Sequence, residues 1–244
     1  MPPNRRPQGP SIASGSVGVG AAISSASALS AEPVVRSIIR LTLIRHGPTE
    51  WNASRRFQGR SDLPLSDEGR VDARKIAAAL RDEPIDAIYS SDLSRALETA
   101  RFVAESRGIS ILTDQRLREF DFGSWEGLTW AEIVATNPQV AGPDPTAASL
   151  YAPEGGESFA QVGERVRSFL DDTRREHPNE SIVVVTHAGP LHAAFSILGL
   201  SESQTPEEKL TLSFTPGSVT RVVIEDDHPR LLQVNDVRHL DPAR

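Results

Sequence analysis

No cysteine occurs anywhere in the chain, which excludes disulfide bonds, thiolate zinc sites and cysteine nucleophiles. Nor is there an uninterrupted apolar run of the roughly eighteen residues that a membrane-spanning helix needs. Basic residues are outnumbered, 26 against 33 acidic, for a formal net charge of −7. A nucleic-acid binder would normally show a basic face, so nucleic acid is not an expected partner, and neither is a membrane. Two local absences matter as much. Residues 1–36 hold no aromatic residue, and the stretch from Phe120 to Glu164 holds no Lys or Arg. At 244 residues the length fits one large domain or two small ones, with ample surface to bury. The chain is expected to be cytoplasmic, with its oligomeric state left open.

Residues 1–36 are rich in Pro, Ser, Gly and Ala. Arg5 and Arg6 ahead of small residues up to Ala31 have something of an export signal, but Ser and Gly interrupt every candidate apolar core. A mis-set start codon would leave the same trace. Such a segment buries too little area to offset its ordering entropy, so 1–36 is expected to be a disordered tail and 37–244 the working domain.

Within that domain, the β-branched run through Ile38, Ile39, Leu41, Leu43 and Ile44 predicts a buried strand ending at Arg45-His46-Gly47. Pro48 suits the first position of a following helical turn. Ser66, with Asp67 and Glu68 behind it, predicts a helix to about Arg81 with Val71, Ile76, Ala77 and Leu80 as its apolar stripe. Asp86–Ser90 is a short strand, and Ser91-Asp92 is expected to cap a helix running to Gly108. Further strands are expected at Ile109–Leu112, Ser181–Thr186, Lys209–Phe214, Thr220–Ile224 and Leu231–Val234. Helices are expected over Thr129–Ala135, Ser158–His177 and Leu191–Leu200, with Asn137–Gly156 an irregular cover. Strands alternating with helices predict an α/β three-layer sandwich, a mostly parallel mixed sheet with helices on both faces. In such sheets ligands sit at the carboxyl ends of strands, where His46 and His187 fall.

At Arg45-His46-Gly47-Pro-Thr-Glu-Trp-Asn52 the chain resembles the histidine phosphatase superfamily, also called the phosphoglycerate mutase-like family, whose signature is Arg-His-Gly. Three further segments match in order: Ser-Asp-Leu-Ser-Arg95, Leu-Arg-Glu119-Phe-Asp-Phe-Gly and Val-Thr-His187-Ala-Gly. The resemblance covers about residues 40 to 200. It implies that His46 is a nucleophile that becomes phosphohistidine, and that Arg45, Arg95 and His187 surround the phosphoryl oxygens. It also implies that Asn52 is a further phosphate contact, that Gln58 and Gly59 form a loop beside the pocket, and that Glu119 is the general acid. Asp121 and Glu126 lie close enough in sequence to stay open as alternatives for the acid. Physically the set is coherent. Neutral imidazole is nucleophilic near pH 7, its second nitrogen can donate to a main-chain carbonyl, and guanidinium groups supply positive charge without a metal or cofactor. Ala188 stands where a glycine is common, but its backbone N–H survives.

The expected partner is a small phosphorylated substrate. The acidic residues between Phe120 and Glu164 are expected to give a negative cover that disfavours a second phosphate or carboxylate, which argues for hydrolysis over mutase-type phosphoryl transfer. The segments Gly59–Ser66 and Trp125-Glu-Gly-Leu-Thr129 also look like the phosphatase branch. A non-catalytic phosphate-binding module would be suggested by loss of the nucleophile or an arginine, and none is lost.

Overall fold

The computed structural model describes residues 37–105, 107–140, 153–200 and 213–240. β1 (Ile38–Arg45), β2 (Ala87–Ser90), β3 (Ile111–Thr113), β4 (Ser181–Thr186), β5 (Val219–Glu225) and β6 (His228–Asp236) form one sheet in the order β3-β2-β4-β1-β5-β6. β1, β4, β2 and β3 run parallel, while β5 and β6 add an antiparallel edge. The expected mixed, mostly parallel sheet is what is observed. Residues 1–36 and Lys209–Leu212 lie outside the described residues, as does most of the expected cover. Among the described residues no helix is long and apolar enough to cross a membrane.

Helices lie on both faces because successive strand side chains point to opposite sides. Ile39, Leu41 and Leu43 of β1 join Ile182 and Val184 of β4 in one core, against α5 (Phe159–Glu176) and α6 (Ala188–Ile197). Ile44, Val183 and Val185 point the other way, against α2 (Asp67–Ala79) and α3 (Ser94–Glu105). Every residue of β4 is buried, as befits an apolar strand covered on both faces. Truncating Phe169, buried in the first core, would cost about 3–5 kcal/mol.

Several boundaries differ from expectation for physical reasons. α6 begins at Ala188 rather than Leu191, because Pro190 falls in the first turn, where a missing N–H breaks no helical bond. Pro48 does not open the first helix. Thr49 caps α1 (Glu50–Ala53) in a reciprocal box with Asn52. On α2 the buried apolar side chains are Ala73 and Ile76, continued by Leu80 at its C-cap, whereas Val71 is 46% exposed. At the entry to α3, Ser91 Oγ accepts from the Leu93 N–H at 3.3 Å, and Asp62 adds to the capping by accepting from the Ser94 N–H and hydroxyl at 2.7 and 2.8 Å. α4 (Trp130–Thr136) and α5 begin one residue inside the expected starts, because Thr129 and Ser158 serve as their N-caps, each in a capping box.

Candidate active site

Register brings the two histidines together. β1 and β4 are parallel neighbours with Arg45 opposite Thr186, so His46 and His187 leave the sheet side by side, and the His46 N–H donates to Thr186 O at 3.0 Å. Their ring centroids are 5.0 Å apart. His46 Nδ1 lies 2.7 Å from Gly47 O. A carbonyl can only accept, so Nδ1 carries the hydrogen and Nε2 keeps its lone pair. Burial first, then Arg95 and Arg45, hold the ring's pKa well below the ordinary imidazole value of 6.5, with the Gly47 carbonyl opposing. The ring is therefore neutral at pH 7. Gly47 has no room for a side chain, since a Cβ would sit 2.8 Å from Gly69 O.

Two guanidinium groups flank this ring on mounts made of carbonyls rather than carboxylates. Arg95, fully buried at the start of α3, donates to Ser61 O at 2.9 Å and Gly59 O at 2.7 Å. Arg45 donates to Phe214 O. Burial lowers the pKa of each, with Glu119 opposing. A buried cation without a carboxylate partner is costly, and an anion in the cleft relieves that cost. Arg45 Nε, Arg95 Nε and His187 Nδ1 are buried without a hydrogen-bond partner, donors of the kind a phosphoryl group would engage. His187 is fully buried, and its Nε2 and Ser91 Oγ are hydrogen-bonded at 2.9 Å. Burial and the nearby arginines, with His46, lower its pKa well below 6.5.

Glu119 enters from the loop after β3. Its Oε1 accepts from the Phe120 N–H at 2.8 Å and the Gly189 N–H at 2.9 Å, the latter in the first turn of α6. That leaves Oε2 as the oxygen able to exchange a proton with a ligand. The two alternative acids are committed elsewhere. Glu126 accepts from Arg60 N, Ser61 N and Ser61 Oγ at 2.6–2.8 Å. Asp121 accepts from Gly123 N and lies 3.5 Å from Arg60 Nε. Neither lines the cleft.

A cleft of about 220 Å³ is lined by Arg45, His46, Asn52, Gln58, Gly59, Arg95 and Glu119 among others. His187 is not among the lining residues, but its ring lies 5.0 Å from that of His46. Asn52 Oδ1 is used in the α1 cap, so its NH₂ is the end left for a ligand. Gln58 Oε1 is buried without a partner, and turning the amide over would present its NH₂ instead. Gly59, at φ +57°, could not carry a side chain, because a Cβ would fall 2.0 Å from Glu126 Oε1. Sequence reasoning missed Arg55, Arg56 and Phe57 in the cleft wall, and left Phe122, which also lines it, open between packing and substrate. The aromatic pair, edge to face at 4.9 Å, joins segments too far apart in sequence for a local motif to reveal.

Among the described residues of the expected negative cover, Glu157 is paired with Arg60 and Arg165, Asp121 with Arg60, and Glu132 with Arg56, and none of the described acidic residues of 120–164 lines the cleft. The described cleft wall carries arginines instead. Among the described residues no three His, Asp or Glu side chains gather to hold a metal ion.

The profile of the histidine phosphatase superfamily (branch 1) matches residues 41–237. Phosphoserine phosphatase 1 of Hydrogenobacter thermophilus is 35% identical over 168 residues, 68% of this chain and 80% of that protein. The metal-independent phosphoserine phosphatase of Arabidopsis thaliana is 32% identical over 210 residues, 85% of each. Matches named phosphoglycerate mutase-like or probable phosphoglycerate mutase also occur. Among solved structures, YhfR of Bacillus stearothermophilus superposes with a TM-score of 0.73 at 35% identity, covering 83% of this chain and 100% of that one.

Proposed function

Because this chain belongs to the histidine phosphatase superfamily (branch 1), we propose that it is a phosphomonoester hydrolase working through a phosphohistidine on His46. His46 Nε2 attacks phosphorus, the bond from phosphorus to the ester oxygen breaks, and Glu119 Oε2 delivers a proton to the departing alkoxide. Glu119 then takes a proton from water, whose oxygen attacks the phosphohistidine and releases inorganic phosphate. Arg45, Arg95 and His187 Nδ1 hold the equatorial oxygens, where charge sits during transfer, with Asn52 and Gln58 as further contacts.

The observation that carries this reading is the neutral His46 ring, held through Nδ1 by Gly47 O and flanked by two arginines mounted on carbonyls, Arg95 fully buried and Arg45 half-buried. Relatives named phosphoserine phosphatase support hydrolysis of small phosphorylated substrates. Mutase-type transfer uses the same first step and differs in what accepts the phosphoryl group. The proposed catalytic unit is residues 37–244, in keeping with the family match over 41–237.

The test is phosphate release from a panel of monoesters in EDTA, with 3-phosphoglycerate isomerisation followed in parallel. Release should persist in the chelator and outpace isomerisation. Activity restored only by a divalent ion would sink the mechanism, and faster isomerisation would make the protein a mutase.

A further inference from the structure

Four arginines line the cleft, and they are not equivalent. Arg45, half-buried, and Arg95, fully buried, are mounted on main-chain carbonyls beside His46. Arg56, at the mouth, donates to Gly127 O at 2.6 Å and pairs with Glu132 at 3.0 Å. Arg55 is exposed, and among the described residues its guanidinium has neither an ion pair nor a hydrogen bond. Its position is also unusual. The chain leaves α1 through Arg55 with φ at +53°, and the next N–H, of Arg56, closes back on Trp51 O at 2.9 Å. Glycine or asparagine adopts that left-handed conformation more easily, so an arginine there is a local cost without a local reason. Strain of this kind points to function only when a function is visible, and here the side chain lines a cleft.

We propose that Arg55 selects substrates that carry a carboxylate a few bonds from the phosphoryl group. This rests on the phosphomonoesterase reading above and narrows its substrate class. Glu119 must hold its proton as the leaving group departs, so the cleft then presents Arg45, Arg95 and Arg55 uncompensated. A phosphoryl dianion answers two of these charges, and one remains at the mouth. A carboxylate fits a single guanidinium fork through two parallel hydrogen bonds. The cleft volume of about 220 Å³ leaves room for only a short stem between the two groups, with Phe57 and Phe122 as its apolar wall. Among the described residues, Glu119 is the one acidic side chain in the cleft wall, and Asp121, Glu132 and Glu157 outside it are already paired with arginines.

The experiment compares matched pairs that differ in the carboxylate: O-phosphoserine against O-phosphoethanolamine, and 3-phosphoglycerate against glycerol 3-phosphate. The wild type should prefer the carboxylate member of each pair in kcat/KM. Arg55→Gln should lower both preferences by about fivefold, mainly through KM, as expected for one partly exposed ion pair. High salt should shrink the wild-type preference toward that of the variant. Arg55→Gly, which eases the backbone, should lose the preference without losing thermal stability. Preferences that stay unchanged in both variants would overturn the proposal. A larger Arg55 effect on fructose 1,6-bisphosphate relative to fructose 6-phosphate would replace the carboxylate by a second phosphate. p-Nitrophenyl phosphate in the same assay reports on the underlying reading. If the wild type released no phosphate from it, that reading would fail, and the same ligand pairs measured by equilibrium binding would still decide the role of Arg55.

Discussion

The Glu119 carboxylate lies 2.9 Å from the amide nitrogen of Gly189, in the first turn of α6, and only a glycine leaves room for that approach. A Cβ at position 189 would stand 2.5 Å from Glu119 Oε1. Gly189→Ala should therefore displace the acid while leaving His46 and both arginines in place. Hydrolysis of alkyl phosphates should fall by about tenfold to a hundredfold, because a general acid contributes on that order or more. p-Nitrophenyl phosphate, whose phenolate needs little protonation, should lose much less. Equal losses on both substrates would place the effect elsewhere.

Glu126 makes the opposite prediction. Its carboxylate pins the Arg60 and Ser61 N–H groups, and the same loop offers Gly59 O and Ser61 O to Arg95. Glu126→Gln should loosen the mount of Arg95, raising KM and lowering kcat alike for alkyl and aryl substrates. The unsatisfied donors should cost about 1–3 kcal/mol in denaturant melts. A loss confined to alkyl substrates would instead make Glu126 the acid.

Much of this was legible in the sequence, and what was not is non-local. Arg45-His46, Arg95, Glu119 and His187 each sit in a short motif at the end of a strand or the start of a helix, where local pattern is informative. Ser91 read as a helix cap, and its hydroxyl accepts from the Leu93 N–H; that it also bonds to His187, 96 residues away, no local pattern could show. The cap for Ser94 comes from Asp62, and the loop anchor from Glu126, 66 and 65 residues beyond its main-chain partners. The acidic count over 120–164 was silent on pairing for the same reason, since the described Asp121, Glu132 and Glu157 are paired with arginines that a count along the chain does not identify. Gly189 and Gly59 carry a legible letter but an illegible reason, namely the carboxylate that needs their empty side.

The two histidines predict how stability varies with pH. Burial and the arginines depress the folded-state pKa of His46 and His187 below 6.5, and burial acts likewise on His192 and His239. Above about 6.5 neither the folded nor the unfolded chain protonates them, so they add no pH dependence. As pH falls below that value the unfolded chain takes up protons first, and stability drops. Thermal melts from pH 8 to pH 5 should show a falling Tm, and His187→Gln should fall less steeply. A variant that follows the wild type over that range would show that His187 does not titrate as described.

The central claim is that phosphate passes through His46 with Glu119 serving both half-reactions, and one measurement addresses it directly. Rapid mixing of Glu119→Gln with p-nitrophenyl phosphate removes the proton donor while supplying a leaving group that scarcely needs one. The first step should survive and the water-activating step should slow. The account predicts a burst of nitrophenol near one per active site, with acid-labile phosphate trapped on His46. Linear release without a burst, and no phosphate on His46 at any time, would contradict it.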